Sequence, residues 1–387
     1  MREDAFTAAL MVDLKMYSPT EEETMAIQRS GSFLWSIVPV LFVFLLITGN
    51  QAPVMVALSI PPATSHRTGT IVFHAQSGST NQIYAVAADG LNVRRLTDIG
   101  ANDFPVVSPD GKSIVFQSTR DNDLELYIMH SDGSDQRRLT LNKGIDFQPT
   151  WSPDSKQIAF VSNRSVPYVI DDNIYLMNAD GSNQRQLTHG GHDFAPTWSP
   201  DGNFIAFRAG PMDDTAIYAM RADGTDLRQL GLGPVPDDGP VWSADSKHIF
   251  FCADDPQKPD THIMDHNRNI YAVDTNGNNL RRLTPDSYFN SCPVVSPDGK
   301  HLAFESYRAG KINIYIMDID GSNLHRLTNN LSDGGLIWSP DSTSIVFMSN
   351  NNQSDSKSWK IFIMQIDGSN QQYLADIADN GVLGWIP

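Results

Sequence analysis

The stretch Asp146-Phe-Gln-Pro-Thr-Trp-Ser-Pro-Asp154 is followed by Ile158-Ala-Phe160, Asn173-Ile-Tyr-Leu-Met177, Asp180-Gly181 and Arg185-Gln-Leu-Thr188. Its apolar runs are short, rich in β-branched and aromatic residues, and bounded by Gly, Pro, Asp and Ser, which is typical of β-strands. Pro-Asp and Asp-Gly between such runs favour tight turns, because Pro fixes φ and Gly accepts a positive φ. The stretch therefore predicts four short strands joined by turns.

The same unit recurs along the chain. The Ser of its Ser-Pro-Asp or Ser-Ala-Asp motif occurs six times, at spacings of 44, 47, 44, 53 and 43 residues. The Ile-x-Phe strand and the Ile-Tyr strand, with their close variants, each occur seven times. Units of four strands at this period are typical of β-propeller blades. We therefore expect an all-β fold, a seven-bladed β-propeller of four-stranded blades.

The two ends of the repeat array complement each other. The first unit, Thr70 to Thr97, lacks the Ser-Pro-Asp strand, and the final residues, Asn380-Gly-Val-Leu-Gly-Trp-Ile-Pro387, look like that strand. Trp385 also falls 47 residues after Trp338. We expect the C-terminal strand to complete the first blade, which would cover the sheet edges at the seam. A six-bladed ring with one extra strand is the competing interpretation.

These repeats resemble the PD40 repeat, the WD40-like repeat in the propeller of the TolB family. The likeness covers about residues 69–387. TolB-family proteins are periplasmic components of the Tol–Pal system, and their six-bladed propeller follows an α/β domain. Here seven blades are predicted, and a hydrophobic segment precedes them. The resemblance implies a propeller that binds proteins, although related propellers precede prolyl-oligopeptidase-type hydrolases or form polysaccharide lyases.

The amino-terminal part differs in composition from the repeats. No charged side chain lies between Arg29 and His66, and an apolar run of fifteen residues extends from Phe33 to Ile47. Such a run predicts a membrane anchor or a signal peptide, with Met25 as a second candidate start. We therefore divide the chain into a cytoplasmic or n-region segment, a hydrophobic anchor or signal, a linker and the propeller, at residues 1–32, 33–60, 61–68 and 69–387.

This division predicts an extracytoplasmic protein in the periplasm or at the cell surface. The propeller would be tethered by a single transmembrane segment or secreted after cleavage, and the sequence leaves both open.

The net charge of the chain restricts the classes of partner that it can bind. The chain has 28 basic and 45 acidic side chains and a net charge of −17. An acidic surface disfavours nucleic acids and anionic lipids. We expect a monomeric propeller that binds a protein or cell-envelope partner and contacts the membrane only through its N-terminal segment.

Sequence motifs for catalysis are missing. The chain has no GxSxG, HExxH, Walker or GxGxxG motif. We therefore expect a non-catalytic scaffold with no catalytic residue, cofactor or bound metal. The alternative is a metal-assisted lyase or hydrolase with its site at the channel mouth. The longest predicted loop contains His262, Asp265 and His266, which favours a solvated polar loop but leaves a metal site open.

One polar position recurs in all seven units, five residues before the Trp or Val of the Ser-Pro-Asp strand. We expect it to open each innermost strand and to form a partner-binding ring around one mouth of the channel. The alternative is that each Asn or Asp caps its own turn through nearby backbone groups. The seven residues, called the Asx positions below, are Asn102, Asp146, Asp193, Asp237, Asn290, Asp333 and Asn380.

Two further residue types yield structural expectations. The repeated tryptophans should pack between neighbouring blades, since large aromatic side chains dominate cores. They are Trp151, Trp198, Trp242, Trp338 and Trp385. Cys252 and Cys292 should lie near the loop-rich face. We expect two thiols there, while the sequence leaves open whether the two cysteines pair.

Overall fold

A computed structural model describes the propeller part of the chain. The described residues are 67–165, 171–211, 215–231, 239–254, 268–285, 288–308, 310–330, 332–350, 359–377 and 383–387. The predicted N-terminal segments 1–32 and 33–60 lie outside them, and so does 61–66 of the linker. Among the described residues no helix occurs, and none is therefore long and apolar enough to cross a membrane.

The described residues form 28 strands in seven four-stranded antiparallel sheets. The strands are β1 (Thr70–Ser77), β2 (Thr80–Ala87), β3 (Arg94–Arg95), β4 (Asn102–Val107), β5 (Ser113–Ser118), β6 (Glu125–His130), β7 (Arg137–Arg138), β8 (Asp146–Trp151), β9 (Gln157–Ser162), β10 (Asn173–Asn178), β11 (Arg185–Gln186), β12 (Phe194–Trp198), β13 (Phe204–Ala209), β14 (Ala216–Arg221), β15 (Arg228–Gln229), β16 (Val241–Trp242), β17 (His248–Asp254), β18 (Arg268–Asp274), β19 (Arg281–Arg282), β20 (Asn290–Val295), β21 (His301–Ser306), β22 (Asn313–Asp318), β23 (His325–Arg326), β24 (Ser332–Trp338), β25 (Ser344–Asn350), β26 (Trp359–Gln365), β27 (Gln372–Ile377) and β28 (Leu383–Ile386).

Each sheet is one blade. Blade 1 has the strand order β28-β1-β2-β3, and blades 2 to 7 are the six consecutive groups of four from β4–β7 to β24–β27. The seven-bladed prediction is thereby confirmed, and the six-bladed interpretation is wrong. The strand β28 pairs antiparallel with β1, with Trp385 opposite Ile71 and Leu383 opposite Phe73. The C-terminal strand therefore closes the first blade, as the repeat count predicts.

The cores lie between neighbouring blades. In β9, Ile158 and Phe160 belong to the apolar cluster shared with blade 2, while Ala159 and Val161 belong to the cluster shared with blade 4. Successive side chains of a strand point to opposite faces, and both faces of a blade are covered. This explains why the second strand of each unit is apolar almost throughout instead of alternating.

The predicted interblade packing of tryptophan is confirmed. Trp151 is buried in the cluster between blades 2 and 3, and its indole Nε1 donates to the carbonyl oxygen of Val106 at 3.0 Å. Trp242 and Trp338 make the corresponding bond to the preceding inner strand. Each indole thus fills an interblade space and ties two blades together.

The two ends of the propeller carry different loops. One end carries the Ser-Pro-Asp and Asp-Gly turns. The other carries the loops between the second and third strands and the loops from each outermost strand to the next innermost strand. We call this second end the mouth face. The five Asx positions among the described residues lie on it, because each stands at or next to the start of an innermost strand.

Candidate functional site

The described Asx positions are set into the walls of the mouth. Asp237 and Asn380 lie outside the described residues. The five described members are all buried: Asn102, Asp146, Asp193, Asn290 and Asp333. A buried side chain contacts a partner only if the loops above it move. The partner-binding role of the ring therefore stays a prediction. The contacts that these side chains make are with neighbouring residues of the chain.

In blade 3 the Asx carboxylate is paired with an arginine. Asp146 Oδ2 accepts hydrogen bonds from Arg164 Nη2 at 2.8 Å and from Asn142 Nδ2 at 2.6 Å. The Arg164 guanidinium lies over the rings of Phe160 and Tyr175, at 5.2 and 4.8 Å from their centroids. Aromatic faces attract a cation, so the strand that fills the core also positions the charge that neutralises Asp146.

The same arrangement recurs in blades 2 and 6 with an amide in place of the carboxylate. Arg120 Nη2 donates to Asn102 Oδ1 at 2.9 Å, and Arg308 Nη2 donates to Asn290 Oδ1 at 3.1 Å. In all three blades the arginine follows a strand-ending serine by two residues and the Asx position by eighteen. This Ser-x-Arg signal is visible in the sequence, and our sequence reasoning missed it.

Local bonds of the kind that the capping alternative predicts are present as well. Asn102 Nδ2 donates to the carbonyl oxygen of Ile99, and Asn290 Nδ2 donates to that of Tyr288. Asp333 accepts from Asn330 Nδ2 at 2.9 Å and from Asn313 Nδ2 at 3.2 Å. Each Asx side chain thus fastens the loop that arrives from the preceding blade.

Asp193 of blade 4 is the exception. The residue eighteen positions later is Pro211, so no arginine is supplied from that position. Burial raises the pKa of Asp193 to about 6, the hydroxyl of Thr188 lowers it in part, and the charges of Asp171 and Asp172 raise it further. The Oδ2 atom is buried and has no hydrogen-bond partner within the described part of the chain. Asp193 is therefore repelled by two neighbouring carboxylates, whereas the charge of Asp146 is balanced by Arg164.

The mouth face also carries exposed apolar side chains, which our sequence reasoning did not single out. Of the ten large hydrophobic residues that are exposed within the described ranges, six lie in mouth loops or at the channel rim. Leu141 is the most exposed, at 78%, and it lies in the loop from blade 2 to blade 3. The six are Ile99, Phe104, Leu141, Ile145, Tyr288 and Tyr307.

Phe104 has a special backbone conformation. It follows Asn102 by two residues at the bulge of β4 and has φ = 49°. A left-handed conformation is strained for a bulky residue. The same bulge carries Gln148 and Ala195 in blades 3 and 4, also with positive φ. The bulge turns these residues away from the regular ladder at the channel rim.

Metal-ligating side chains are sparse in the described part. No group of three or more His, Cys, Asp or Glu side chains is arranged there to hold a metal ion. His262, Asp265 and His266 lie outside the described residues, so the prediction for that loop stays untested. Cys252 is buried in the second strand of blade 5, two residues before the end of that strand. The Cys292 side chain is outside the described part, and pairing of the two cysteines stays open.

Comparisons with known families agree with this architecture. Residues 98–193 match the TolB beta propeller domain, and residues 256–382 match the Tricorn protease N-terminal beta propeller domain. The chain is 46% identical over 72 residues to the Tol-Pal system protein TolB of Geobacter sulfurreducens, a stretch that covers 19% of this chain and 17% of that protein. The match thus covers about a sixth of the relative's length.

Solved structures share the fold over most of the chain. TolB from Acinetobacter baumannii has a TM-score of 0.53 at 20% identity, and the match covers 82% of each chain. An oligogalacturonate lyase in complex with manganese has a TM-score of 0.58 at 14% identity, covering 80% of this chain and 86% of that one. At these identities the likeness shows the propeller fold alone.

Proposed function

We propose that this chain, whose described part is a TolB-like β-propeller of PD40 repeats, is a non-catalytic protein-binding scaffold of the cell envelope. The observation that carries the proposal is the set of exposed apolar side chains on the mouth face. Exposed apolar side chains among polar residues on one face are typical of protein interaction sites. The Asx positions would support this surface from below by fixing the loops that present it.

Charge near the apolar residues indicates the kind of partner. Asp98 is exposed beside Ile99, and Asp121 and Asp123 are exposed in the loop between the second and third strands of blade 2. Carboxylates around an apolar patch favour a partner whose own apolar residues are flanked by Lys or Arg, since complementary charge speeds association and sets orientation. Binding should therefore weaken as salt is added.

The N-terminal segment completes the proposal. An anchor or signal at residues 33–60 would place the propeller outside the cytoplasm, where an envelope protein could reach its mouth face. The propeller would work as a monomer, with membrane contact through that segment only. The names of the TolB relatives support an envelope role for this chain.

The test compares the two ends of the propeller. Ile99→Asp combined with Leu141→Asp places two charges on the mouth face. Leu227→Asp is the matched control, because Leu227 is 55% exposed beside the turn between β14 and β15, away from the mouth. A partner is first captured from an envelope extract with the wild-type chain and identified, and its affinity is then measured for each variant.

We expect the double variant to bind the partner at least ten-fold more weakly and Leu227→Asp to bind like the wild type. Equal loss in both variants, or no loss in the double variant, would contradict the mouth-face proposal. A lyase or hydrolase remains the alternative function. A stoichiometric transition metal in the purified chain, measured by elemental analysis, would favour it.

A further inference from the structure

The preceding blade, blade 3, places a second carboxylate next to Asp193 of blade 4. Asp172 directly precedes β10, and its carbonyl oxygen accepts a hydrogen bond from the backbone N–H of Asp193 at 2.9 Å. Leu124 and Ile312 make the same backbone bond to Asp146 and Asp333. The position that is aliphatic in those two places is therefore an aspartate beside Asp193, and the position eighteen residues after Asp193 is Pro211 instead of an arginine.

Both carboxylates are buried and incompletely bonded. Asp193 is 3% exposed and Asp172 is 6% exposed. Asp193 Oδ2 and Asp172 Oδ1 each lack a hydrogen-bond partner within the described residues. Leaving an ionised oxygen buried without a donor or cation costs several kcal/mol, on the order of the loss of a charged hydrogen bond. Two such oxygens on residues joined by a backbone bond need a common explanation.

The turn facing these carboxylates has no side chains. A Cβ atom placed on Gly191 would lie 2.9 Å from Asp171 Oδ1, and one placed on Gly190 would lie 4.0 Å from Asp193 Oδ1. Gly191 also has φ = 68°, which glycine accepts readily. The Gly190-Gly191 turn thus leaves open the space that larger residues would fill between the acidic side chains.

Nearby titratable groups supply little fixed positive charge. Burial raises the pKa of Asp172, His192 lowers it in part, and Asp171 raises it. A histidine carries its positive charge only when it is protonated. The carboxylates of Asp171, Asp172 and Asp193 consequently repel one another. The Arg208 guanidinium lies 4.9 Å from the ring centroid of Phe194, but it is not among the charges that shift the pKa of Asp193.

We propose that Asp172 and Asp193 bind a hard divalent cation, Ca²⁺ or Mg²⁺, which takes the place that arginine has at Asp146. Such ions prefer carboxylate and water oxygens, and Mg²⁺ is commonly held by one or two carboxylates with several waters. Two protein carboxylates completed by water also agree with the absence of a three-ligand side-chain cluster in the described ranges. The inference is independent of the proposed partner, since the cation would order the loop between blades 3 and 4.

The test uses the purified full chain after EDTA treatment, at pH 7, titrated separately with CaCl₂ and MgCl₂. Calorimetry measures stoichiometry and affinity, and thermal unfolding measures stabilisation. We expect one site that is lost in Asp172→Asn and in Asp193→Asn, with at least ten-fold weaker binding. Asn already occupies the equivalent place at Asn102 and Asn290, so Asp193→Asn should fold. Asp333→Asn is the matched control and should bind the ion like the wild type.

A second variant supplies the missing arginine. Ala209→Ser combined with Pro211→Arg rebuilds the Ser-x-Arg arrangement eighteen residues after Asp193. We expect this variant to be folded, to bind neither ion at the site and to need no ion for full stability. The proposal is overturned if the wild type binds neither ion at millimolar concentration, or if its stability responds to pH alone. Unchanged binding in both Asn variants would overturn it equally.

Discussion

The same dipeptide, Asp146-Phe147 and Asp193-Phe194, stands at the start of the innermost strands of blades 3 and 4, yet only the first carboxylate is paired with an arginine that follows it by eighteen residues. Asp146 has the buried acid Glu125 as a neighbour but also lies 2.8 Å from the Arg164 guanidinium. Asp193 is buried beside Asp171 and Asp172, and no arginine follows it at the equivalent position. A repeat position therefore fixes where a side chain stands on the backbone. It does not fix the charge that the side chain meets, because that charge comes from other segments of the chain. Arg164 follows the second strand of the same blade as Asp146, whereas Asp171 and Asp172 belong to a loop of the blade before Asp193.

The largest expected effect comes from removing the arginine of blade 3. Arg164→Met leaves Asp146 buried with Asn142 as its remaining side-chain donor among the bonds described above. Breaking a buried ion pair by removing one partner costs about 3–5 kcal/mol, and we expect a loss of that order in the free energy of unfolding. Urea denaturation at pH 7 measures it.

The control for this prediction is the equivalent position of blade 4. Pro211 is exposed and follows Asp193 by the same eighteen residues. Pro211→Ala should change the free energy of unfolding by less than about 0.5 kcal/mol, as surface substitutions usually do. Similar losses in Arg164→Met and Pro211→Ala would show that the Asp146–Arg164 pair contributes no more to the free energy of unfolding than a surface residue does.

The second prediction concerns blade 4, where removing the charge of the Asx carboxylate should stabilise the fold. The pKa of Asp193 is raised from 3.8 to about 6 in the folded chain, so the unfolded chain releases this proton first as pH rises. The contribution of Asp193 to stability is therefore present below about pH 4 and is lost as pH rises to about 6. In EDTA, Asp193→Asn should be more stable than the wild type above pH 6, by up to about 3 kcal/mol.

Urea denaturation between pH 4 and pH 7 checks this expectation. The stabilities of the variant and the wild type should converge near pH 4 and diverge up to pH 6. A difference that stays constant over this range would mean that Asp193 does not titrate between the folded and unfolded states as described. Added Ca²⁺ or Mg²⁺ should reduce the difference at pH 7 if the cation inference holds.

The smallest effect concerns the tryptophans of the same two blades. Trp151 Nε1 donates to the Val106 carbonyl at 3.0 Å, whereas Trp198 Nε1 is buried without a hydrogen-bond partner in the described part of the chain. Both Trp→Phe changes remove similar volume, but only Trp151→Phe removes that bond. We expect Trp151→Phe to cost about 1 kcal/mol more than Trp198→Phe. Thermal unfolding of both variants measures the difference, and equal costs would exclude a net contribution from the indole bond.

Sequence reasoning placed the five described Asx positions correctly at the inner strands, because each lies at a fixed distance from the Ser-Pro-Asp motif. The neighbours of those positions were harder to predict. The Ser-x-Arg spacing acquires meaning only when the ends of the first and second strands are known to lie side by side. Exposure is equally hidden, since Leu139 is buried while Leu141, two residues later, is exposed.

The sequence by itself determined the number of blades, the order of strands and the closure of the first blade by the C-terminal strand. These features follow from signals that are local or periodic: β-branched runs, Pro-Asp and Asp-Gly turns, and a repeat whose missing member reappears at the other end. Only the tertiary structure decided which carboxylates are neutralised, which carry a raised pKa and which apolar side chains face solvent. Desolvation and Coulomb interaction depend on distance through space, and the loops that set those distances join residues far apart in the chain.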